Sequence, residues 1–373
     1  MKNLFKTSKK LKKTIKNYDN KKIFIITGKK SYTKSGAKNI FDILKKDNVF
    51  LFFKKSYIPE IKELKKIISL IKNLKPEYIF SVGGGAVMDL AKTANYLWKT
   101  KNLKTAIIKS KYNNQKNFCP LIAIPTTAGS GAEITSNSVI YIKKKKYSVE
   151  NDQIRPKKFM LCSEFVLKNN KKLKSASGFD AIAQAVESML SIRSTKKSLN
   201  YSIRSLKYSF KNYLQYVKNP NSLNSQNMLL AAHYSGEAIN LTKTTAPHAL
   251  SYPFTAHFGI SHGHAVSLTF SEFLKFNFEN INRSVTDFSM NERLKILLKL
   301  SETQNLDELL KFFKNIKNKS GLDDNFKNLN INVEKNLDKI LSGVNIRRLS
   351  NNPIQINEQI IKGLLLEKYY SQN

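Results

Sequence analysis

The sequence predicts an α/β half followed by an all-helical half, and three observations support this. Short β-branched and aromatic runs alternate with amphipathic stretches in the first half, a pattern typical of parallel strands joined by helices. After about residue 170 the strand signals fade and helical periodicity takes over. A chain of 373 residues also exceeds the usual size of a single core. We therefore predict two domains, at residues 1–168 and 169–373.

The first domain is predicted to contain four strands and four helices. Leu4, Leu11 and Ile15 share one face of a lysine-coated first helix. The strands are apolar runs at residues 22–27, 48–53, 78–82 and 120–125. The helices between them are amphipathic and occupy residues 34–46, 60–75 and 86–98. Because strands and helices alternate, we expect one parallel sheet.

The second domain contains long helical patterns and no internal repeat. These patterns lie at residues 177–191, 197–216, 225–241, 263–278, 291–301, 305–317 and 357–370. No obvious linker separates the domains, so we expect them to pack around a cleft. The longest apolar runs, such as "IFII" and "VFLFF", are far too short to cross a bilayer.

The chain is strongly basic, with 64 Lys and Arg against 27 Asp and Glu and a formal net charge of +37. Such an excess can indicate nucleic-acid binding. Here the lysines are spread along the whole chain, without a basic block interleaved with aromatic residues and without zinc-finger spacing. This distribution disfavours nucleic acid as a partner. A basic protein does attract anionic substrates.

The sequence also bounds the compartment. The N-terminal segment is basic but lacks the apolar core of a secretory signal. Cys119 and Cys162 give no disulfide framework, which is typical of a reducing environment. We therefore predict a cytoplasmic protein that does not use a membrane.

A glycine loop follows the third strand, where Gly83, Gly84 and Gly85 precede the next helix. Glycine lets the backbone approach an anion, and the free N–H groups of a helix N-terminus point at it. Three glycines also occur in ordinary tight turns. Asp89 and Lys92, in the first turns of the helix, are either surface charges or groups that position the loop.

A second loop of small residues follows the fourth strand. It carries the hydroxyls of Thr126, Thr127 and Ser130 beside Gly129 and Gly131. Two such loops at the carboxyl ends of parallel strands flank the crevice where dinucleotides bind. Together the loops predict a nucleotide cofactor.

The segments "GGGAVMDLAK" and "PTTAGSGAEITSNSVI" resemble the signature motifs of the metal-dependent (iron-activated, group III) alcohol dehydrogenases. The resemblance extends to about residue 280. It implies a Rossmann-like dinucleotide domain, an all-helical domain and the two-domain plan of dehydroquinate synthase. It also implies NADPH or NADH as the cofactor, a divalent metal (Fe2+ favoured, Zn2+ as the alternative), and a homodimer.

The family's metal ligands are one aspartate and three histidines. Asp180, His248 and His262 match the aspartate and two of the histidines, whereas Gln184 occupies the place of the first histidine. Either the Gln184 amide oxygen completes a harder site, or metal binding has been lost; the retained ligand spacing favours a working site. Tyr252 stands where many relatives have a histidine that serves proton transfer, so we assign it to the catalytic residues.

Two further histidines, His257 and His264, lie in the same stretch. Histidine clusters indicate metal or acid–base chemistry, which the resemblance assigns here to His248 and His262. Because His257 and His264 match no functional position of the family, we interpret both as packed or surface residues.

The resemblance also assigns the cofactor contacts. The glycines match the pyrophosphate loop, and the set of cofactor-binding residues is Gly83, Gly84, Gly85, Asp89, Thr126, Thr127, Ser130 and Lys146. Many NAD-preferring relatives carry an acid after the second strand. This chain has Phe53 there, followed by Lys54 and Lys55. Because two cations can accept a 2′-phosphate, we favour NADPH.

The stretch "DAIAQAVESMLSIRST" looks closest to the phosphonoacetaldehyde reductase branch of the family. That branch reduces phosphonoacetaldehyde to 2-hydroxyethylphosphonate in phosphonate biosynthesis. Lys243 and Thr244, just before His248, and Arg193, after the helix of Asp180, are interpreted as groups that bind the small anionic aldehyde. The alternatives are a helix cap at Lys243 and a solvated side chain at Arg193.

Three other functions stay open. The first is a reductase of an uncharged short-chain aldehyde or diol, for which Lys243 would be dispensable. The second is a lyase similar to dehydroquinate synthase, which would need more lysines and acids around the metal. The third is a non-catalytic basic binding protein, which would bind nucleic acid in a salt-sensitive manner and take up no metal.

Overall fold

The computed structural model describes residues 3–112, 116–143 and 145–372. The chain divides into two compact units. The first, which we call the α/β unit, comprises residues 1–170 and 220–229. The second, the helical unit, comprises residues 171–219 and 230–373.

The α/β unit is built on a five-stranded parallel sheet in the order β3-β2-β4-β5-β8. The order reverses between β2 and β4, which makes the carboxyl ends of these two strands the topological switch point of the sheet. A separate antiparallel hairpin joins β6 to β7. The strands are β1 (Leu4–Phe5), β2 (Ile23–Gly28), β3 (Val49–Lys54), β4 (Tyr78–Gly83), β5 (Leu121–Pro125), β6 (Asn137–Ile142), β7 (Lys145–Glu150), β8 (Lys158–Phe159) and β9 (Leu161–Cys162).

Helices cover both faces of this sheet. Side chains alternate between the faces, so Phe24 and Ile26 of β2 pack in one core cluster and Ile23 and Ile25 in another. Burial on both faces explains why β2, β4 and β5 are largely continuous apolar runs. The edge strand β3 was also predicted to be buried, but its Leu51 and Phe53 are exposed. The helices of this unit are α1 (Ser8–Ile15), α2 (Lys29–Lys34), α3 (Ala37–Phe41), α4 (Ile61–Leu74), α5 (Gly85–Tyr96), α6 (Leu103–Ile108) and α7 (Ser163–Leu167).

Two of the helices predicted in the α/β unit differ from their predicted bounds. Of the helix predicted at residues 34–46, only the part at Ala37–Phe41 forms α3, and α2 (Lys29–Lys34) ends just before it, because Gly36 between them adopts a left-handed conformation with φ +85°. Leu4 lies in β1 and not in the first helix, which begins only after Thr7, whose side chain accepts a hydrogen bond from the Lys10 N–H. Leu11 and Ile15 are buried as predicted.

The second unit is helical, as predicted, and its longest helices match the periodic stretches of the sequence. Three helices of this unit were not predicted, namely α11 and the short α15 and α16. Helix α11 was missed because Pro247 and Pro253 interrupt the helical pattern. Pro247 is tolerated in the first turn, where its missing N–H has no helical partner. The helices are α8 (Lys171–Leu190), α9 (Lys196–Lys218), α10 (Ser222–Thr242), α11 (Ala246–Phe258), α12 (His262–Glu279), α13 (Met290–Ser301), α14 (Leu306–Ser320), α15 (Leu337–Leu341), α16 (Ile346–Leu349) and α17 (Glu358–Ser371). Residues 222–229 of α10 belong to the α/β unit and the rest of α10 to the helical unit. Among the described residues, no helix combines the length and the apolarity that a membrane span requires.

A buried ionic cluster anchors α12 within this unit. Lys317 of α14 and Lys368 of α17 both bind the carboxylate of Asp324. Lys368 also binds Glu272 of α12 at 2.9 Å. Both ammonium groups additionally donate to backbone carbonyls of α12. Because these lysines are almost fully buried, their pairing fixes the position of α12, whose first residue is His262.

Candidate active site

Helix α8 presents three polar side chains on one buried face. Asp180, Gln184 and Glu187 follow one another at helical spacings of four and three residues, and each is at most 4% exposed. Buried charged groups are costly unless they are paired or bind a cation. The surroundings of these three side chains therefore define the site.

Asp180 lies beside His248 of α11 and His262 of α12. Asp180 Oδ1 is 3.2 Å from His248 Nε2 and 3.9 Å from His262 Nε2. One ligand atom from each of the three residues falls within 4.8 Å of the others. Two ligand atoms that each lie about 2.1 Å from a tetrahedral ion are about 3.4 Å apart. The observed spacings are close to this value or exceed it by at most about 1.4 Å, so the three side chains can hold one metal ion after a small inward movement. We call these three residues the metal cluster.

Glu187 holds His248 in place. Its Oε1 accepts hydrogen bonds from the N–H groups of Thr245 and His248, at 3.1 and 3.2 Å, and from the Thr245 hydroxyl at 3.0 Å. A carboxylate at the N-terminus of α11 is favoured by the free N–H groups there. Its Oε2 binds His248 Nδ1, which leaves Nε2 free to face Asp180.

The sequence interpretation did not single out Glu187. The sequence feature that could have identified Glu187 is its position seven residues after Asp180, which places both side chains on the same face of a predicted helix. Its partner His248 lies 61 residues further along the chain, so the contact itself could not be read from the sequence.

His262 is oriented in a similar manner. Ser251 of α11 donates its hydroxyl proton to the carbonyl of His248 and lies 3.4 Å from His262 Nδ1. Gly263 allows α12 to approach α8, since a Cβ at this position would lie 1.9 Å from the carbonyl oxygen of Ala176. This close approach brings His262 next to Asp180.

The electrostatics of the metal cluster favour a cation. Burial lowers the pKa of the His248 imidazole, but the negative charges of Glu187 and Asp180 outweigh this effect and raise the pKa to about 9. The site thus stabilises positive charge at His248 Nε2 in a water-poor environment. Two imidazole nitrogens and one carboxylate oxygen suit ferrous iron or zinc. The residues therefore fit a divalent transition metal.

Gln184 contacts the other oxygen of the aspartate. Its Nε2 donates to Asp180 Oδ2 at 3.2 Å, and its Oε1 accepts from the Ser235 hydroxyl of α10 at 3.0 Å. Both Gln184 and Ser235 are buried. In this arrangement the amide connects α8 to α10.

The remaining residues of the histidine stretch take different positions. Tyr252 is buried one turn after His248, with its ring centroid 6.3 Å from that of His262. His264 is buried, and its Nε2 lies 2.6 Å from the backbone carbonyl of Asp323; burial lowers the pKa of this imidazole. His257 is exposed in the last turn of α11.

The glycine loop of the α/β unit (Gly83–Gly85) lies at the switch point and contacts the second predicted loop. A Cβ on Gly84 would lie 3.2 Å from the Thr127 hydroxyl, and one on Gly85 would lie 2.9 Å from the Ser130 hydroxyl. The N–H of Thr126 also donates to the carbonyl of Gly83 at 3.0 Å. The structure therefore brings the two loops together at the N-terminus of α5, which is an anion-binding geometry.

Lys92 and Asp89 tie α5 to the segment after the second loop and are not surface charges. The Lys92 ammonium is fully buried and donates to Thr135 and to the carbonyls of Ala132 and Asn137, at 2.6 to 3.0 Å. Burial raises the pKa of Asp89 to about 6, against the opposing effects of Lys92 and Lys146. This network positions the loops.

Three residues were predicted to bind the substrate. Lys243 follows the last residue of α10 in a left-handed conformation, with φ +64°, and is half-buried. Thr244 is buried, and its carbonyl accepts a hydrogen bond from Asn351. Arg193 is exposed beyond the end of α8. Since α8 ends ten residues after Asp180, Arg193 follows a point about 15 Å along the helix axis from that carboxylate.

The lysines proposed to favour NADPH also differ from each other. Lys54 donates to the carbonyls of Ser56 and Tyr57, and burial lowers the pKa of its ammonium. Lys55 is exposed, and its backbone N–H binds Glu63 at 2.5 Å. Of these two cations, Lys55 is therefore the one presented to solvent at the end of β3.

Comparison with known families covers nearly the whole chain. The family described as iron-containing alcohol dehydrogenase matches residues 5–161. The C-terminal family of the Fe-containing alcohol dehydrogenases matches residues 174–369. The first match contains the glycine loop, and the second contains the metal cluster.

Individual relatives share less than a third of their aligned residues with this chain. A 4-hydroxybutyrate dehydrogenase of Clostridium kluyveri is 28% identical over 67% of this chain and 68% of its own length. A phosphonoacetaldehyde reductase of Streptomyces viridochromogenes is 29% identical over 56% of this chain and 55% of its own length. The crystal structure of a sulfoacetaldehyde reductase from Bifidobacterium kashiwanohense in complex with NAD+ is 25% identical, with a TM-score of 0.84 over 97% of this chain and 94% of that one.

Proposed function

The chain belongs to the iron-containing alcohol dehydrogenase family, and from this premise we propose that it reduces a short aldehyde bearing an anionic group. NADPH or NADH is the hydride donor, and NADPH is the preferred one. The observation that carries the proposal is the metal cluster, in which Asp180 and His248 are buried and His262 is partly exposed. Such a donor set fits Lewis-acid catalysis of a carbonyl reaction.

Each residue has a distinct task in this reaction. Asp180, His248 and His262 hold the divalent metal, preferably ferrous iron, which when bound polarises the aldehyde carbonyl. Gly83 to Gly85 hold the pyrophosphate of the cofactor at the N-terminus of α5. When bound, the nicotinamide would supply the hydride that the carbonyl carbon needs, and the protein must supply a proton to the carbonyl oxygen. We assign the delivery of this proton to the Tyr252 hydroxyl, since the ring is buried beside His262.

The names of relatives and the charge of the chain support the substrate class. The names of the three relatives given above specify a carboxylate-, a phosphonate- and a sulfonate-bearing compound. A net charge of +37 favours the approach of such anions. Lys243 and Thr244 lie shortly before His248 in the chain, and an ammonium and a hydroxyl are suitable donors to a phosphonate. Phosphonoacetaldehyde, reduced to 2-hydroxyethylphosphonate, is therefore the first candidate.

The test is anaerobic oxidation of NADPH by the ferrous-loaded protein. Phosphonoacetaldehyde is compared with propionaldehyde and lactaldehyde, which are uncharged, and with the aldehyde of 4-hydroxybutyrate, which carries a carboxylate. A kcat/KM for phosphonoacetaldehyde at least about tenfold above the others is expected from one charge-assisted contact. An equal kcat/KM for the uncharged aldehydes would refute the anionic substrate class. A higher kcat/KM for the carboxylate-bearing aldehyde would refute only the assignment to a phosphonate.

Lys243 offers a sharper test of the same proposal. The Lys243→Ala variant should raise KM for phosphonoacetaldehyde about tenfold and leave KM for propionaldehyde unchanged. Lys75→Ala is the matched control, because Lys75 also ends a helix in the left-handed conformation, with φ 48°, but on α4 of the other unit. If Lys243→Ala and Lys75→Ala behave alike, Lys243 only caps α10.

A further inference from the structure

We propose that Gln184 is a positioning residue and not a metal ligand, so that three side chains alone hold the metal. The inference takes from the proposed function only that the metal cluster binds a divalent ion. Two observations support it. The first is which of the two Asp180 oxygens Gln184 contacts, and the second is which end of the Gln184 amide makes the contact.

The two oxygens of Asp180 have separate partners. Oδ1 is the oxygen that faces the histidines, at 3.2 Å from His248 Nε2 and 3.9 Å from His262 Nε2. Oδ2 accepts the hydrogen bond from Gln184 Nε2 at 3.2 Å. Gln184 therefore contacts the oxygen that is not shared with the imidazoles.

The chemistry of the partners fixes the direction of the amide. An ionised carboxylate can only accept hydrogen bonds, so the group that Gln184 turns towards Oδ2 must be its NH2. The amide oxygen then lies at the other end, where the Ser235 hydroxyl donates to it at 3.0 Å. Reversing the amide would bring two acceptors together at 3.2 Å in a buried site, which is unfavourable.

The arrangement resembles the support that Glu187 gives to His248. In both cases a buried side chain of α8 binds the ligand atom that points away from the metal cluster, while the other atom of that ligand faces the cluster. Gln184 orients Asp180, and Ser235 orients Gln184. A metal held by three side chains keeps at least one coordination position open for an oxygen of water or substrate.

The test is a crystal structure of the zinc-loaded wild-type protein, with the ion located by its anomalous signal. We expect Asp180 Oδ1 and both imidazoles within about 2.2 Å of zinc. Gln184 Oε1 should lie too far from the zinc ion to coordinate it and should keep its hydrogen bond with the Ser235 hydroxyl. A Gln184 Oε1 bound directly to zinc would overturn the inference, as would a failure of the protein to bind zinc.

Zinc titration of two variants supplies a second readout. Gln184→Leu should bind one zinc ion about 10- to 100-fold more weakly, through the same three side chains, since Asp180 loses an outer hydrogen bond. Ser235→Ala should have a smaller effect in the same direction, because Gln184 can still donate to Asp180. Thermal unfolding of the metal-free variants checks that both fold. An unchanged zinc affinity in Gln184→Leu would also contradict the inference.

These outcomes are independent of the substrate. A zinc ion held by three side chains in a protein that reduces none of the aldehydes would refute the proposed function and leave the role of Gln184 standing. Aldehyde reduction by a protein in which Gln184 binds the metal would do the reverse.

Discussion

The metal cluster and the glycine loop are built on opposite principles. The cluster consists of polar side chains, two of them buried, that are held by further side chains such as Glu187 and Ser251. The glycine loop works through the absence of side chains, since a Cβ on Gly84 or Gly85 would meet the second loop. The comparison teaches that the first site depends on contacts between side chains, whereas the second depends on the close approach of two loops that small residues allow.

The largest effect is expected where the two principles meet, at Gly263. This glycine lies in the helical unit but acts through its missing side chain. Gly263→Ala places a Cβ against the Ala176 carbonyl, so we expect about 3 kcal/mol lower free energy of unfolding, as for overpacking, and loss of zinc binding. Urea unfolding and zinc titration measure both.

Gly363→Ala is the control for this substitution. Gly363 lies inside α17, and a Cβ there meets nothing within 4 Å. Alanine should therefore raise the free energy of unfolding by about 0.5 to 1 kcal/mol, through helix propensity alone. Equal effects of the two substitutions would refute the role of the close approach of α12 to α8.

The second-largest effect is expected at Glu187, where a substitution should change the metal site and leave the cofactor site unchanged. Glu187→Gln removes the charge that fixes His248, so zinc should bind about 10- to 100-fold more weakly. The affinity for NADPH, measured by fluorescence titration in the absence of metal, should stay unchanged, because Glu187 belongs to the other unit. A parallel loss of both affinities would show that the sites are not built independently.

A smaller effect is expected in the glycine loop. Gly85→Ala should weaken NADPH binding about tenfold, because the new methyl group displaces the Ser130 hydroxyl, 2.9 Å away. The double variant with Ser130→Gly should recover part of the loss, which a double-mutant cycle quantifies. Additive losses would mean that the two loops do not constrain each other.

The smallest effect concerns the choice of cofactor. Lys55→Glu replaces the exposed cation at the end of β3 with an acid. The ratio of kcat/KM for NADPH to that for NADH should fall about tenfold, since a 2′-phosphate is repelled and a ribose hydroxyl is not. Lys54→Met should change this ratio less, because the Lys54 ammonium already donates to backbone carbonyls. The reverse order of effects would assign the 2′-phosphate to Lys54.

The sequence predicted what depends on local pattern. The parallel strands and the long helices, including α8 with Asp180 and Gln184 on one face, follow from periodicity. Contacts between distant segments could not be predicted in this way. Glu187 meets His248 over 61 residues, and Gln184 meets Ser235 over 51.

Helix α11 escaped prediction for another reason. Prolines in a sequence usually indicate that a helix ends or is absent. Pro247, however, lies in the first turn of α11, where proline is compatible with a helix. The ligand His248 therefore lies on a helix that periodicity alone did not reveal. The hairpin of β6 and β7 was missed as well, although it carries Lys146.

Transfer of deuterium tests the central claim most directly, namely that this chain transfers hydride from a nicotinamide to an aldehyde. The ferrous-loaded protein is mixed anaerobically with NADPH deuterated at C4 and with phosphonoacetaldehyde, and the product is analysed by NMR. We predict 2-hydroxyethylphosphonate with one deuterium on the carbinol carbon, formed by wild type and not by Asp180→Ala. An alcohol without deuterium, or no alcohol from a protein shown to hold both metal and cofactor, would contradict the account.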